Sequence, residues 1–92
     1  MIQSWKHKGL KLFYTTGDES GIQPEQAKRL KLIIQLLDIA EKPEHMNLPG
    51  MNFHLLKGQL VGFYSVKVNG NWRIIFKFDK QDAILVNYLD YH

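Results

Sequence analysis

The pattern of apolar and polar positions makes the last third of the chain, residues 61–92, a three-stranded antiparallel meander. Segments 63–68, 72–78 and 83–88 are rich in β-branched and aromatic residues, which suit a pleated, half-buried surface. Short polar breakers separate them. Asn69-Gly70-Asn71 offers residues that tolerate the positive φ of a tight hairpin turn, and the polar tetrad 79–82 serves as the second turn. Strand side chains alternate, so Trp72, Ile74, Phe76 and Phe78 fall on one face and Arg73, Ile75 and Lys77 on the other. The first face is core and the second is partly cationic.

Upstream the period changes. Residues 2–7 alternate apolar and polar and predict a short strand that joins the later sheet. Lys8–Thr16 predicts a short helix with Leu10, Leu12 and Phe13 as its apolar positions, its start weakened by Gly9. Residues 18–23 read as a loop. Over residues 24–40, Ala27, Leu30, Ile33, Ile34, Leu37 and Ala40 recur at three-to-four spacing, a stripe that packs on the sheet. Pro24 suits a first helical turn and Glu25 the positive end of the helix dipole. Residues 51–56 resume an extended pattern that brings in His54, and Lys57 opens the turn into the meander. This order predicts an α+β fold, two N-terminal helices packed on an antiparallel sheet of four to five strands, in one domain spanning residues 1–92.

Composition narrows the chemistry. Ninety-two residues with 45% hydrophobic content suffice for one core and leave no room for a second domain. There is no cysteine, which excludes disulfides and thiolate metal sites. The N-terminus lacks the apolar region of a signal peptide, and no run approaches the roughly 20 apolar residues of a membrane span. A cytoplasmic protein with no membrane contact is therefore expected. Twelve Lys/Arg against nine Asp/Glu give a net charge of +3, which favours a polyanionic partner where the cations share a surface.

The four histidines, at positions 7, 45, 54 and 92, show no metal-ligand spacing, and the acids are scattered, so neither a metal nor another cofactor is expected. No serine has the glycine-flanked context of a nucleophile elbow. What remains is a set of strand-borne and terminal polar residues: His54, Lys57, Asn71, Arg73, Asp90, Tyr91 and His92. If His54 and Arg73 project from the sheet face that the helices leave uncovered, and the chain end passes beside them, two imidazoles, a carboxylate and a guanidinium share one surface. Those groups suffice to cleave RNA without metal, supplying a base for the 2′-hydroxyl, cations for the phosphorane and an acid for the leaving 5′-oxygen. By residue type alone, each also has an ordinary reading, as an exposed strand histidine, a packed arginine or a frayed tail.

The stretches Trp5-Lys6-His7-Lys8-Gly9-Leu10, His54-Leu55-Leu56-Lys57-Gly58, Asn69-Gly70-Asn71-Trp72-Arg73-Ile74 and Asn87-Tyr88-Leu89-Asp90-Tyr91-His92 together resemble the HigB branch of the RelE-like toxins, also called plasmid-maintenance killer proteins. The resemblance spans the chain and is least distinctive over residues 16–50. It implies a microbial-ribonuclease-like fold, ribosome-dependent cleavage of messenger RNA in the decoding site, and a helix-turn-helix antitoxin of the HigA kind. DNA is then contacted only through that antitoxin. His54, Asp90, Tyr91 and His92 match the family's catalytic positions, and Lys57, Asn71 and Arg73 match positions that hold or orient the substrate. His54 or His92 would transfer protons, with Asp90 fixing an imidazole tautomer or acting as the base itself. Docking to ribosomal RNA would draw on Lys6, Lys8, Lys11, Lys28, Arg29 and Lys31, although a charge cluster on an amphipathic helix is commonly only its solvated side. Two other classes fit the same elements: a ParE-like inhibitor of DNA gyrase without nuclease chemistry, and a non-catalytic RNA-binding module.

Overall fold

The computed structural model describes residues 1–91 and arranges them as two helices over one sheet. Helix α1 spans Lys8–Thr16, and α2 spans Ala27–Ile39 behind a 3₁₀ turn at Pro24–Gln26. Strands β1 (His54–Leu55), β2 (Tyr64–Asn69), β3 (Trp72–Asp79) and β4 (Asp82–Asp90) form a four-stranded antiparallel sheet in chain order. Leu10 and Phe13 of α1 and Leu30, Ile33, Ile34 and Leu37 of α2 are buried against Val66, Ile74, Phe76 and Val86 of the sheet. Those are the helix positions whose spacing required a partner.

The element boundaries depart from expectation where local chemistry intervenes. The helix expected over residues 24–40 begins as a 3₁₀ turn, and Ala40 is already extended, its N–H bonded to the Leu36 and Leu37 carbonyls. The extended pattern over residues 51–56 yields only the two-residue β1, because Asn52 turns to a positive φ of 48° just before it. Residues 2–7 do join the sheet, but parallel to β4 and only through isolated bridges at Ile2–Ala83 and Trp5–Val86. Along β4 a bulge between Ile84 and Asn87 puts Leu85 at φ 54°, and the Ser4 hydroxyl accepts the Leu85 N–H at 2.8 Å.

Gly9 explains its own place inside α1. The helix crosses the loop so closely that a Cβ on Gly9 would lie 2.8 Å from the Gly21 Cα and carbonyl oxygen. Gly→Ala in a helix ordinarily stabilises. Here Gly9→Ala is expected to lower the stability by about 2 kcal/mol, because backbone rather than a flexible side chain must move; chemical denaturation gives the sign directly.

His7 caps α1, its Nδ1 accepting the Leu10 N–H at 2.9 Å, and its ring meets Tyr88 edge-on at 5.4 Å. Burial holds the His7 pKa below the ordinary 6.5. The folded chain therefore resists a proton that the unfolded chain accepts. This contribution to stability is complete above the unfolded pKa and is lost as pH falls through the depressed folded value. His7→Asn retains an uncharged cap, so its urea midpoint is expected to fall less than the wild type's between neutral and mildly acidic pH.

Candidate active site

Directly paired residues on antiparallel strands point to the same side, so register fixes which side chains share a face. His54 pairs with Ser65, Ser65 with Ile75 and Ile75 with Asn87, one row across all four strands. Lys67, Arg73 and Leu89 make the next row. Val66, Ile74 and Tyr88, in the opposite phase, are in the main core, so both rows occupy the face turned away from the helices. That face is not bare. Leu56, Phe63 and Ile75 are buried on it, with Leu60, Leu85 and Leu89 packed against them. The polar groups thus surround an apolar floor, which the expectation of an uncovered face did not include.

His54 is exposed, and its Nδ1 lies 2.9 Å from the Asn52 carbonyl oxygen. A carbonyl only accepts, so Nδ1 carries the hydrogen and, in the neutral ring, Nε2 is left bare. The positive φ of Asn52 is what presents that carbonyl to the ring. Arg73 is pinned by Nη1, which donates to the Gly70 carbonyl at 2.8 Å and the Trp72 carbonyl at 3.0 Å. Its other donors are not used by those two bonds. One strand, β2, lies between His54 and Arg73, and Arg73 is two residues along β3 from the His54 row, which sets their Cα atoms about 12 Å apart.

The chain end is tied to the β2–β3 turn through the Tyr91 N–H, which donates to the Asn71 carbonyl at 2.7 Å. Tyr91 is 45% exposed and directly follows the end of β4. Asp90 pairs with Trp72 and so takes the helix side. There burial pushes the Tyr88 hydroxyl above the usual phenol range, and the Glu25 and Asp90 carboxylates push it further. That hydroxyl donates to the buried Gln26 side chain. Lys57 and Asn71 are exposed in the connections after β1 and β2. The site position His92 lies outside the described residues. Register therefore brings His54 and Arg73 to one face and sets Asp90 on the other.

The six cations expected at a ribosomal surface do not form one patch. Lys8 and Lys11 are exposed on α1, and Lys28 and Lys31 line a groove of about 480 Å³ between the helices with Phe13, Tyr14 and Ala27. Lys6 lies on the sheet side, over the Phe63 ring. Arg29 is engaged internally: Nε donates to the Val68 carbonyl at 2.6 Å, and Nη2 to those of Gly50 at 3.1 Å and Lys67 at 3.2 Å. Lys67 is a candidate that the sequence reading passed over, although its alternation with Val66 and Val68 carried the signal. Among the described residues, no three His, Asp or Glu side chains are grouped to hold a metal ion, and no helix is long and apolar enough to cross a membrane.

Comparison with known proteins gives a consistent result. Residues 3–92 match the family described as the RelE-like toxin of type II toxin–antitoxin system HigB. The chain is 41% identical over 92 residues to Endoribonuclease HigB of Proteus vulgaris, covering all of both chains. It is 32% identical over 95 aligned positions to Toxin HigB-1 of Vibrio cholerae serotype O1 strain El Tor Inaba N16961, covering all of this chain and 98% of that one. Together with the helix-covered antiparallel meander, these matches place the chain in the HigB family of RelE-like toxins, whose members act opposite a cognate antitoxin.

Proposed function

We propose that the protein is an endoribonuclease that cleaves messenger RNA in the ribosomal decoding site by acid–base catalysis without a metal, and so arrests translation. The observation that carries this reading is the bare Nε2 of His54 on the same face as the anchored Arg73 guanidinium. The name of the Proteus relative supports it.

His54 Nε2 takes the proton of a 2′-hydroxyl, whose oxygen attacks the adjacent phosphorus. Arg73 and Lys57 neutralise the phosphorane that forms. The bond to the 5′-oxygen then breaks, and His92 supplies that oxygen with a proton, while Asp90, which its pairing with Trp72 sets on the other face, acts on that imidazole and not on the RNA. Tyr91 stacks on a displaced base, and Asn71 hydrogen-bonds the nucleotide beside it. Lys8 and Lys11 of α1 and Lys28 and Lys31 of α2 meet ribosomal RNA. The antitoxin is of the helix-turn-helix, HigA kind and contacts DNA on behalf of the complex.

The test is to incubate the protein with programmed ribosomes and with the same message free, and to map the ends by primer extension. Cuts confined to the ribosome-bound message are expected. Equal cutting of free message would remove the ribosome from the mechanism. Intact messages together with gyrase-dependent DNA breaks in expressing cells would overturn the nuclease reading in favour of a ParE-like one.

A further inference from the structure

Two lysines beyond the candidate active site converge on one aromatic ring. Phe63 precedes β2, and the pairing of Tyr64 with Phe76 sets it opposite Lys77 of β3 on the face that carries His54. The Lys77 Nζ lies 5.0 Å from the Phe63 centroid, and the Nζ of Lys6 lies 5.9 Å from it. The ring is only 7% exposed, so it seats the two ammonium groups rather than offering a platform for a base. Gly62 lies beside the pair: at its φ of 90°, a Cβ would come within 3.3 Å of the Lys77 Cε and 3.4 Å of its Nζ, so the lysine end would have to shift by a few tenths of an ångström.

Among the described residues, no carboxylate lies within ion-pair distance of Lys6 or Lys77. The one ion pair among the described residues joins the N-terminal ammonium to Asp82 at 3.5 Å. Asp79, two residues along β3 from Lys77, and Asp82, its partner across the turn, do not reach ion-pair distance of Lys6 or Lys77. Two ammonium groups drawn to one ring, with no carboxylate at ion-pair distance among the described residues, favour an anion beside them.

The position is also in line with the site. Lys77, Ile75 and Arg73 leave β3 from the same face at two-residue intervals, which puts Lys77 and Arg73 about 13 Å apart along the strand. The His54 row crosses between them. Proteins that bind single-stranded nucleic acid follow its backbone with such cationic tracks.

We propose that Lys6 and Lys77, seated on Phe63, bind a backbone phosphate of the RNA strand on the side of His54 away from Arg73, next to the cleavage point and not at it. The inference rests on the RNA reading above. Its test is a titration of the protein with a 2′-O-methylated RNA hexanucleotide, which offers phosphates but no nucleophile. NMR follows the lysine ε-methylenes and the Phe63 ring. Saturable shifts at Lys6, Lys77 and Phe63 are expected. Lys6→Gln/Lys77→Gln is expected to weaken binding about 10-fold and to reduce the log–log salt slope by about 0.7, the value for one phosphate on a single strand. Lys77→Arg keeps the slope, and Lys80→Gln in the β3–β4 turn changes neither quantity. Thermal melting of each variant reports on its fold. Shifts at His54 and Arg73 with none at Phe63, or an unchanged slope in the double variant, would overturn the subsite and leave the nuclease reading intact. Shifts nowhere on this face would likewise overturn the subsite, while the nuclease reading stands or falls on the programmed-ribosome assay.

Discussion

His54→Ala is expected to cut the rate on ribosome-bound message by about 100- to 10,000-fold, the usual weight of one proton-transfer group. Because the ring is exposed and is held by a single bond to the Asn52 carbonyl, the melting temperature of the variant is expected to stay near that of the parent. The loss is then chemical. Asp90→Ala and His92→Ala are expected to lose comparable activity, and the triple variant little more than the worst single one, since groups that act as a unit are not additive. Activity retained in all three variants would remove this cluster from the reaction.

Arg29→Ala is expected to cost about 3 kcal/mol, because a charged fork that donates to the Val68, Gly50 and Lys67 carbonyls leaves three acceptors short of a strong partner. Arg29→Lys should recover only part of that, since one ammonium cannot span acceptors on two segments as a planar guanidinium does. The neighbouring Lys28 and Lys31 are exposed, so Lys28→Ala and Lys31→Ala should fall within about 0.5 kcal/mol of the parent. Urea unfolding of the four variants separates these expectations. If Arg29→Ala is as stable as Lys28→Ala, its role lies outside the fold.

Much of this architecture was legible in the order of residues. The alternation through 72–78 assigned Ile74 and Phe76 to the helix side and Arg73 and Ile75 to the other, and the register agrees. The stripe from Leu30 to Leu37 likewise found its partner sheet. What escaped were features that only tertiary context creates. Leu85 has none of the chemistry that usually marks a positive φ, and its bulge is held by Ser4 from the other end of the chain. Arg29 looked like one more cation on a helical surface until the Val68 and Gly50 carbonyls lay beside it. In the candidate site, residue type pointed to His54 and Arg73. The tautomer of His54, however, depends on the backbone of Asn52, and the side taken by Asp90 depends on its pairing with Trp72. Phe63 and Lys77 form a unit only once β2 and β3 are paired.

The segment from Ile2 to Trp5 has no ladder of its own until residues 83–86 exist, since Gln3, Ser4 and Lys6 bond to positions some 81 places later. Closing so long a loop is slow and comes late in folding. A polypeptide still emerging from the exit tunnel lacks the strand on which its first residues must zip. Each copy therefore completes its sheet, and any activity that depends on it, only after residues 83–86 have left the tunnel.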